Sequence, residues 1–300
     1  MARVRATGID GGLCGNQCGR ARLPLLSDSC LGELTELANA LADRAGSASL
    51  PHFRARELEA DDKSAPGDGN GRFDPVTVAD RAAERAMRAL LALRRPDDAV
   101  FGEEEARTAG TSGLTWVLDP IDGTRAFISG LPVWGTLIAL DDGGRGRIGI
   151  VDQPYIGERF VGVIGNARVE AWMTGPAGRR TLHTRRCAGL ETATVFTTDP
   201  FLFTAAEAEA FDAVRARARL TRYGTDCYAY ALVALGLVDL VIESGLAAYD
   251  IAAHVPIIEA AGGRVTDWQG HDCRWGGRAV AAGSAEVHAA ALEILSQVAD

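Results

Sequence analysis

The stretch WVLDPIDGTRAFISGLPVWGTLIAL, residues 116–140, decides the reading of the whole chain. It begins as an apolar strand and then sets two aspartates, a proline and a glycine within five residues. Pro120 removes a backbone donor and disfavours helix at Asp119, so the strand is expected to end there. Asp119 and Asp122 then share one tight turn and can point the same way. Gly123 lets the backbone approach a ligand closely, and Thr124 can cap a short helix, RAFIS, whose N–H groups would receive an anion. Two convergent carboxylates beside such a helix start suit a divalent cation and a phosphate. Without a cation they repel and raise each other's pKa; Mg²⁺ keeps both ionised. The alternative is a plain hydrogen-bonded turn, since Asp-Gly is a common turn pair.

Three further acidic stretches bear on that choice. FGEEE places Glu103 to Glu105 just after a short strand, DPVTVAD places Asp80 at a helix start, and AYDIAAHVPIIEAAGG places Asp250 at another. Each alone reads equally as a helix cap or a solvated charge. Together they lie beside strand ends and helix starts, where a site would be built.

Working outward, Leu31, Leu34, Leu37 and Leu41 recur at helical spacing, predicting a helix from Leu31 to about Leu58 that breaks near Pro51. The polar, Gly-rich segment ADDKSAPGDGNGRFDP follows as a linker or lid, and TVADRAAERAMRALLAL reads as a helix stopped by RRPDD. AVFGEEE and TWVLDP read as short buried strands, and turn signals spaced about ten residues apart between Val133 and Met173 predict an antiparallel meander. Beyond about Thr181 the strands TATVFTT, LTRYG and VDLVIE alternate with the helices AAEAEAFDAVRARA, CYAYALVALG and DIAAHVPIIEAAGG, an α/β rhythm. The expected organisation is an extension without regular structure over 1–30, an α+β half over 31–180 and an α/β half over 181–300.

Composition narrows the function. The chain has 300 residues, 47% of them hydrophobic, enough for a sizeable core. A formal net charge of -9 argues against a general nucleic-acid surface and for a small-molecule partner. Six scattered cysteines and the absence of an apolar leader or an 18-residue apolar run lead to the expectation of a cytoplasmic protein with reduced thiols, neither secreted nor membrane-spanning. Cys14 and Cys18 have no partner pair at zinc spacing. Cys187, Cys227 and the five histidines give no nucleophile–base or metal-spaced pair in sequence. His254, Trp134, Tyr228, Tyr230 and Trp268 read as packing residues.

DPIDGT with a preceding GEE and a later Asp-x-Ala-Ala followed by Ala-Gly-Gly resembles the inositol monophosphatase family of magnesium-dependent, lithium-sensitive phosphatases. The resemblance runs from about residue 31 to the C-terminus. Within the family, DGTRAFISGLPVWGTLIAL, RYGTDCYAYALVALGLVDLVIESGL and YDIAAHVPIIEAAGGRVTDWQG look most like the histidinol-phosphate phosphatase branch. The resemblance implies a layered αβαβα sandwich of the sugar-phosphatase type, commonly a homodimer, and a small-molecule phosphate ester as substrate, histidinol phosphate or alternatively an inositol phosphate. It implies that Glu103, Asp119 and the carbonyl of Ile121 hold one Mg²⁺, that Asp119, Asp122 and Asp250 hold a second, and that Asp80 helps bind a weaker third, with Lys63 in the adjoining loop.

On that reading Thr124 bridges Glu103 and an attacking water, while the N–H groups of Gly123 and Thr124 hold the phosphate. Histidinol phosphate carries an amine and an imidazole, so acceptors are needed away from the phosphate. Glu243 and Asp226 are the candidates, with an ordinary N-cap the alternative for Asp226. Arg125 is left between pairing with the metal-site carboxylates, a neighbouring subunit and plain surface charge.

Overall fold

The computed structural model describes residues 26–56, 58, 60–63 and 75–299. The expected N-terminal extension, with Cys14 and Cys18, and the centre of the Gly-rich loop therefore lie largely outside the described residues. In chain order the elements are α1 (Asp28–Ser49), β1 (Ala60–Asp62), β2 (Pro75–Thr77), α2 (Val78–Arg94), β3 (Ala99–Gly102), β4 (Thr115–Asp122), α3 (Thr124–Ile128) and β5 (Gly135–Asp141). Next come β6 (Gly146–Gln153), β7 (Glu158–Ile164), β8 (Val169–Gly175), β9 (Gly178–Thr181), β10 (Thr194–Thr197), α4 (Ala205–Arg217), β11 (Leu220–Tyr223) and α5 (Asp226–Ala234). The chain closes with β12 (Leu240–Ala247), α6 (Ala248–Ile251), α7 (His254–Ala260), β13 (Arg264–Thr266), β14 (Gly276–Ala282) and α8 (Ala285–Leu295).

Alternation along the strands explains the layering. Trp116 and Leu118 on β4 face α1 and α2, packing with Leu31, Leu41 and Met87. Val117 faces the other way and joins Val151, Phe160, Val233, Ile251 and Ile257 in a core shared with α5, α6 and α7. On β12, Val241 joins this same middle core, whereas Leu240 and Ile242 face α4 and α8 with Phe211, Val287 and Leu295. Five layers result: α1 and α2, a seven-stranded sheet, the middle helices, a five-stranded sheet, then α4 and α8. This is the layered αβαβα sandwich expected from the sequence.

The seven-stranded sheet has the order β3-β4-β5-β6-β7-β8-β9 and is antiparallel except for the β3/β4 pair. The five-stranded sheet has the order β11-β10-β12-β14-β13, with β10 parallel to both neighbours and β14 antiparallel to both of its own. The middle layer can sit close because β6 and β7 present glycines to α7. A Cβ on Gly149 would lie 2.0 Å from the Ala253 carbonyl oxygen, and one on Gly162 would lie 2.4 Å from the Ile257 Cα.

Several expectations need correction. Helix α1 starts at Asp28 behind an N-cap from Ser27, inside the stretch read as extension, and ends at Ser49 with one 3₁₀ turn after it. The ends of the Gly-rich loop pair as the short β1/β2 ladder. The single helix expected over DIAAHVPIIEAAGG is two, α6 and α7, with Pro256 in the first turn of α7, where its missing N–H costs no helical bond. Strands β13 and β14 and helix α8 were not foreseen. No helix among the described residues is long and apolar enough to cross a membrane.

Candidate active site

Asp119 continues the face of β4 that Val117 presents to the middle layer, and Glu243 continues the face of β12 begun by Val241. Both strands bulge immediately afterwards. Asp119 pairs with Leu137 and Asp122 with Gly135, so β4 uses three steps where β5 uses two; β12 does the same against β14 between Glu243 and Leu246. In a regular strand residues three apart face opposite ways, and the extra residue brings Asp119 and Asp122 to the same side. The strand therefore does not end before Pro120, as the sequence suggested. It runs through to Asp122, and the proline occupies the bulge, where a missing donor is tolerated. Thr136 Oγ1 donates to the Pro120 carbonyl at 2.8 Å and holds the bulge in place.

The carboxylates of Asp119, Asp122 and Asp250 each have an oxygen within 4.8 Å of the others. Each is oriented by a backbone donor. The N–H of Ile121 donates to Asp119 Oδ1 at 3.0 Å, that of Cys227 to Asp122 Oδ2 at 2.7 Å, and that of Ala247 to Asp250 Oδ2 at 2.7 Å. Asp119 comes from the seven-stranded sheet and Asp250 from α6, while α5 docks through its first turn onto Asp122. Burial pushes the Asp119 carboxyl well above its ordinary pKa, and the nearby charges of Glu103, Asp122 and Asp250 push it further. Asp122 is raised in the same way, first by burial and then by Asp226 and Asp250. A set of oxygen donors, Asp119 buried and Asp122 and Asp250 partly so, whose charges oppose one another fits a hard divalent cation, which would reverse those shifts.

Glu103 sits at the edge of this cluster, raised by burial but opposed by Lys63, whose ammonium lies 2.9 Å from Glu103 Oε1 and also contacts Glu104. Burial works against the Lys63 charge, yet the two glutamates outweigh it and raise its pKa. Glu104 itself is raised to about 7, chiefly by burial.

Asp80 is fully buried at the start of α2, where its Oδ2 receives the N–H and hydroxyl of Thr77 at 2.8 and 2.6 Å. Its other oxygen lies 3.3 Å from Thr124 Oγ1, which is also 3.1 Å from the Ile121 carbonyl. Thr124 thus bonds toward Asp80 rather than bridging to Glu103, because α3 starts beside the N-terminus of α2. Burial raises the Asp80 carboxyl. Gly123 takes a left-handed conformation with φ 83° before α3, and a Cβ there would come within 3.0 Å of the Asp226 Cβ.

Asp226 opens α5 at φ 42° and makes no N-cap bond, the capping position being Thr225; the cap alternative for it is thereby removed. Burial raises its carboxyl to about 6 against the charge of Arg125. Glu243 is 8% exposed, accepts the N–H and hydroxyl of Thr198 at 3.0 and 2.6 Å, and is raised to about 7 by burial. Arg125 Nη1 lies 3.9 Å from Asp199 on the loop after β10, and its charge also reaches Asp226. Phe201, 80% exposed, stands on that same loop.

His254 and Tyr230 stack in the core with ring centroids 4.3 Å apart, and burial holds the imidazole pKa down near 3. Tyr228 donates to Glu158 at 2.6 Å, and Trp134 and Trp268 are fully buried. Sequence reasoning missed Glu84, a buried carboxylate that receives the N–H groups of Glu104 and Glu105. Its one signal was its place four residues after Asp80, on the same face of α2.

A family model described as the inositol monophosphatase family matches residues 31–299. The chain is 41% identical over 289 residues to the bifunctional phosphatase IMPL2, chloroplastic, of Arabidopsis thaliana, covering 90% of this chain and 77% of the relative. It is 35% identical over 236 residues to a histidinol-phosphatase of Chlorobaculum parvum, covering 78% of this chain and 86% of the relative. Among solved structures, an inositol monophosphatase from Zymomonas mobilis matches with a TM-score of 0.76 at 43% identity, covering 88% of this chain and 98% of that one.

Proposed function

The chain belongs to the inositol monophosphatase family, and on that premise we propose that it is a magnesium-dependent phosphomonoesterase that hydrolyses L-histidinol phosphate to histidinol and phosphate. The observation that carries the chemistry is the convergence of Asp119, Asp122 and Asp250 beside Glu103. Glu103, Asp119 and the Ile121 carbonyl would hold one Mg²⁺, Asp119, Asp122 and Asp250 a second, with Asp80 at a weaker third. Bound there, Mg²⁺ would supply Lewis-acid polarisation of the phosphoryl group and lower the pKa of water.

The protein's own groups do the rest. Asp80, raised by burial, is suited to take the proton of the attacking water through the Thr124 hydroxyl, which lies 3.3 Å from its Oδ1. Backbone N–H groups of Gly123 and Thr124 receive the phosphate oxygens at the start of α3. Away from the phosphate, Glu243 and Asp226 present carboxylates that a cationic amine would pair with, and Arg125, tied to Asp199, borders that pocket. The histidinol-phosphatase relative supports this choice. The similar Zymomonas mobilis structure, described as an inositol monophosphatase, favours an inositol phosphate as the second reading.

Phosphate release measured side by side from L-histidinol phosphate and myo-inositol 1-phosphate, with Mg²⁺, with EDTA and with added Li⁺, separates the two. A Mg²⁺-dependent preference for histidinol phosphate is expected. Activity on the inositol ester alone would overturn the substrate and keep the chemistry.

A further inference from the structure

Glu84 is fully buried on α2, one helical turn after Asp80. Its Oε2 accepts the N–H of Glu104 at 2.7 Å and its Oε1 the N–H of Glu105 at 3.1 Å. Arg88, one turn further along, donates to Glu84 at 2.7 Å, to the Glu105 carbonyl at 3.0 Å and to Thr108 Oγ1 at 3.2 Å. The two residues therefore grip Glu105 by both its N–H and its C=O. Gly102 makes room for this, since a Cβ there would lie 2.1 Å from Glu84 Oε1. The turn that follows β3 and aims Glu103 at the acidic cluster is thus fixed by a side chain of α2 as well as by its own strand.

We propose that Glu84 is a positioning residue: it holds the Glu103–Glu105 turn in register with Asp80, so that α2 sets the places of Glu103 and Asp80 together. This rests on the metal-site reading above. A buried carboxylate that receives two backbone N–H groups and a guanidinium is fully bonded, and removing it would leave two part-buried donors without their acceptor. The turn would relax, and Glu103 would no longer be presented at a fixed distance from Asp119. Orienting partners of this kind typically carry about 10–100-fold in metal affinity.

The test compares Mg²⁺ binding by calorimetry, Mn²⁺ binding by electron paramagnetic resonance and steady-state kinetics in the full chain and in Glu84→Ala and Glu84→Gln, all well below each variant's melting temperature. Glu84→Ala is expected to weaken Mg²⁺ and Mn²⁺ binding at least about tenfold, with most of kcat recovered at saturating Mg²⁺ and substrate KM within about twofold of wild type. Glu84→Gln keeps one acceptor oxygen and is expected to fall between. A lowered melting temperature with unchanged metal affinity would overturn the proposal by making Glu84 merely structural. Should the alanine variant not fold, wild-type metal affinity in Glu84→Gln overturns it equally. A wild-type chain that binds neither ion would overturn the site reading itself and this role with it.

Discussion

Two sets of buried carboxylates in this molecule are driven in opposite directions. Asp98 accepts from Arg95 at 2.8 and 3.0 Å, from Ser112 at 2.6 Å and from the Trp116 indole at 2.9 Å. Burial alone would raise it, but these bonds win and hold its pKa below the ordinary value. Glu207 behaves likewise: against burial, Ser244, the Thr204 N–H and Arg278 bring it to about 2. Asp119 is buried too and Asp122 half-buried, yet the partners that orient them are backbone N–H groups, and their pKa values rise. The difference is a guanidinium and a shell of donors. Where the fold needs a carboxylate for support it provides both. At the acidic cluster the neighbouring carboxylates instead raise one another at Asp119 and Asp122, the arrangement expected where a cation from solution completes the site.

The largest effect expected from this contrast is on turnover. Asp119→Asn keeps an acceptor for the Ile121 N–H but removes charge, and phosphate release should fall by more than about 100-fold, beyond the loss typical of outer orienting partners. Thermal melts of the metal-free variant at pH 8 should be no lower than wild type, because a repelling charge has gone. Asp98→Asn should invert the pattern. It is expected to lose about 2–3 kcal/mol in urea denaturation while turnover per folded molecule stays within about twofold, since a buried charge-assisted network is broken far from the cluster. A silent Asp98→Asn, or one that abolishes turnover, would break the comparison.

A smaller and more selective effect is expected at Glu243. Glu243→Gln should raise KM for histidinol phosphate about tenfold, as for loss of one charged hydrogen bond, and leave KM for inositol phosphate within about twofold. In the wild type, KM for histidinol phosphate should fall as pH rises through about 6 to about 7, where Asp226 and Glu243 ionise. Equal effects on both esters would place Glu243 outside substrate choice.

Much of this was legible in the residues, and what was not has physical causes. DPIDGT announced paired carboxylates, although a plain hydrogen-bonded turn explained it as well until FGEEE, DPVTVAD and AYDIAAHV were set beside it. The bulge was hidden: a three-residue spacing reads as a turn, and only the pairing with β5 shows that the strand continues with one extra residue. Glu84 was hidden because Glu and Arg at i and i+4 are the ordinary dress of an exposed helix, and burial of that face follows from packing against β4. The Asp226 backbone at φ 42° could not be foreseen, since aspartate before a helix normally caps it. Strand β14, GGRAVAA, has too few bulky β-formers to stand out, and it gains its place from pairing on both edges.

The measurement that tests the central claim most directly is the melting temperature between pH 5 and pH 8, metal-free and with saturating Mg²⁺. A carboxyl whose pKa is raised in the fold takes up protons more readily folded than unfolded, so its contribution to stability is lost as pH rises through the folded value. For Asp226 and Glu243 that window runs from the ordinary carboxylate range to about 6 and about 7, and Asp119 and Asp122 are shifted in the same direction. Asp98 and Glu207, lowered in the fold, contribute above the ordinary range and lose it only as pH falls through their folded values, about 2 for Glu207, so they are silent in this window. The imidazole of His254, held down near 3, works the other way up to the ordinary imidazole range, but the raised carboxyls outnumber it. Metal-free protein should therefore still melt lower at pH 8 than at pH 5, about 2–4 °C per kcal/mol. Saturating Mg²⁺ should reverse the slope, because it binds the ionised carboxylates. A flat metal-free profile that Mg²⁺ leaves unchanged would contradict the account.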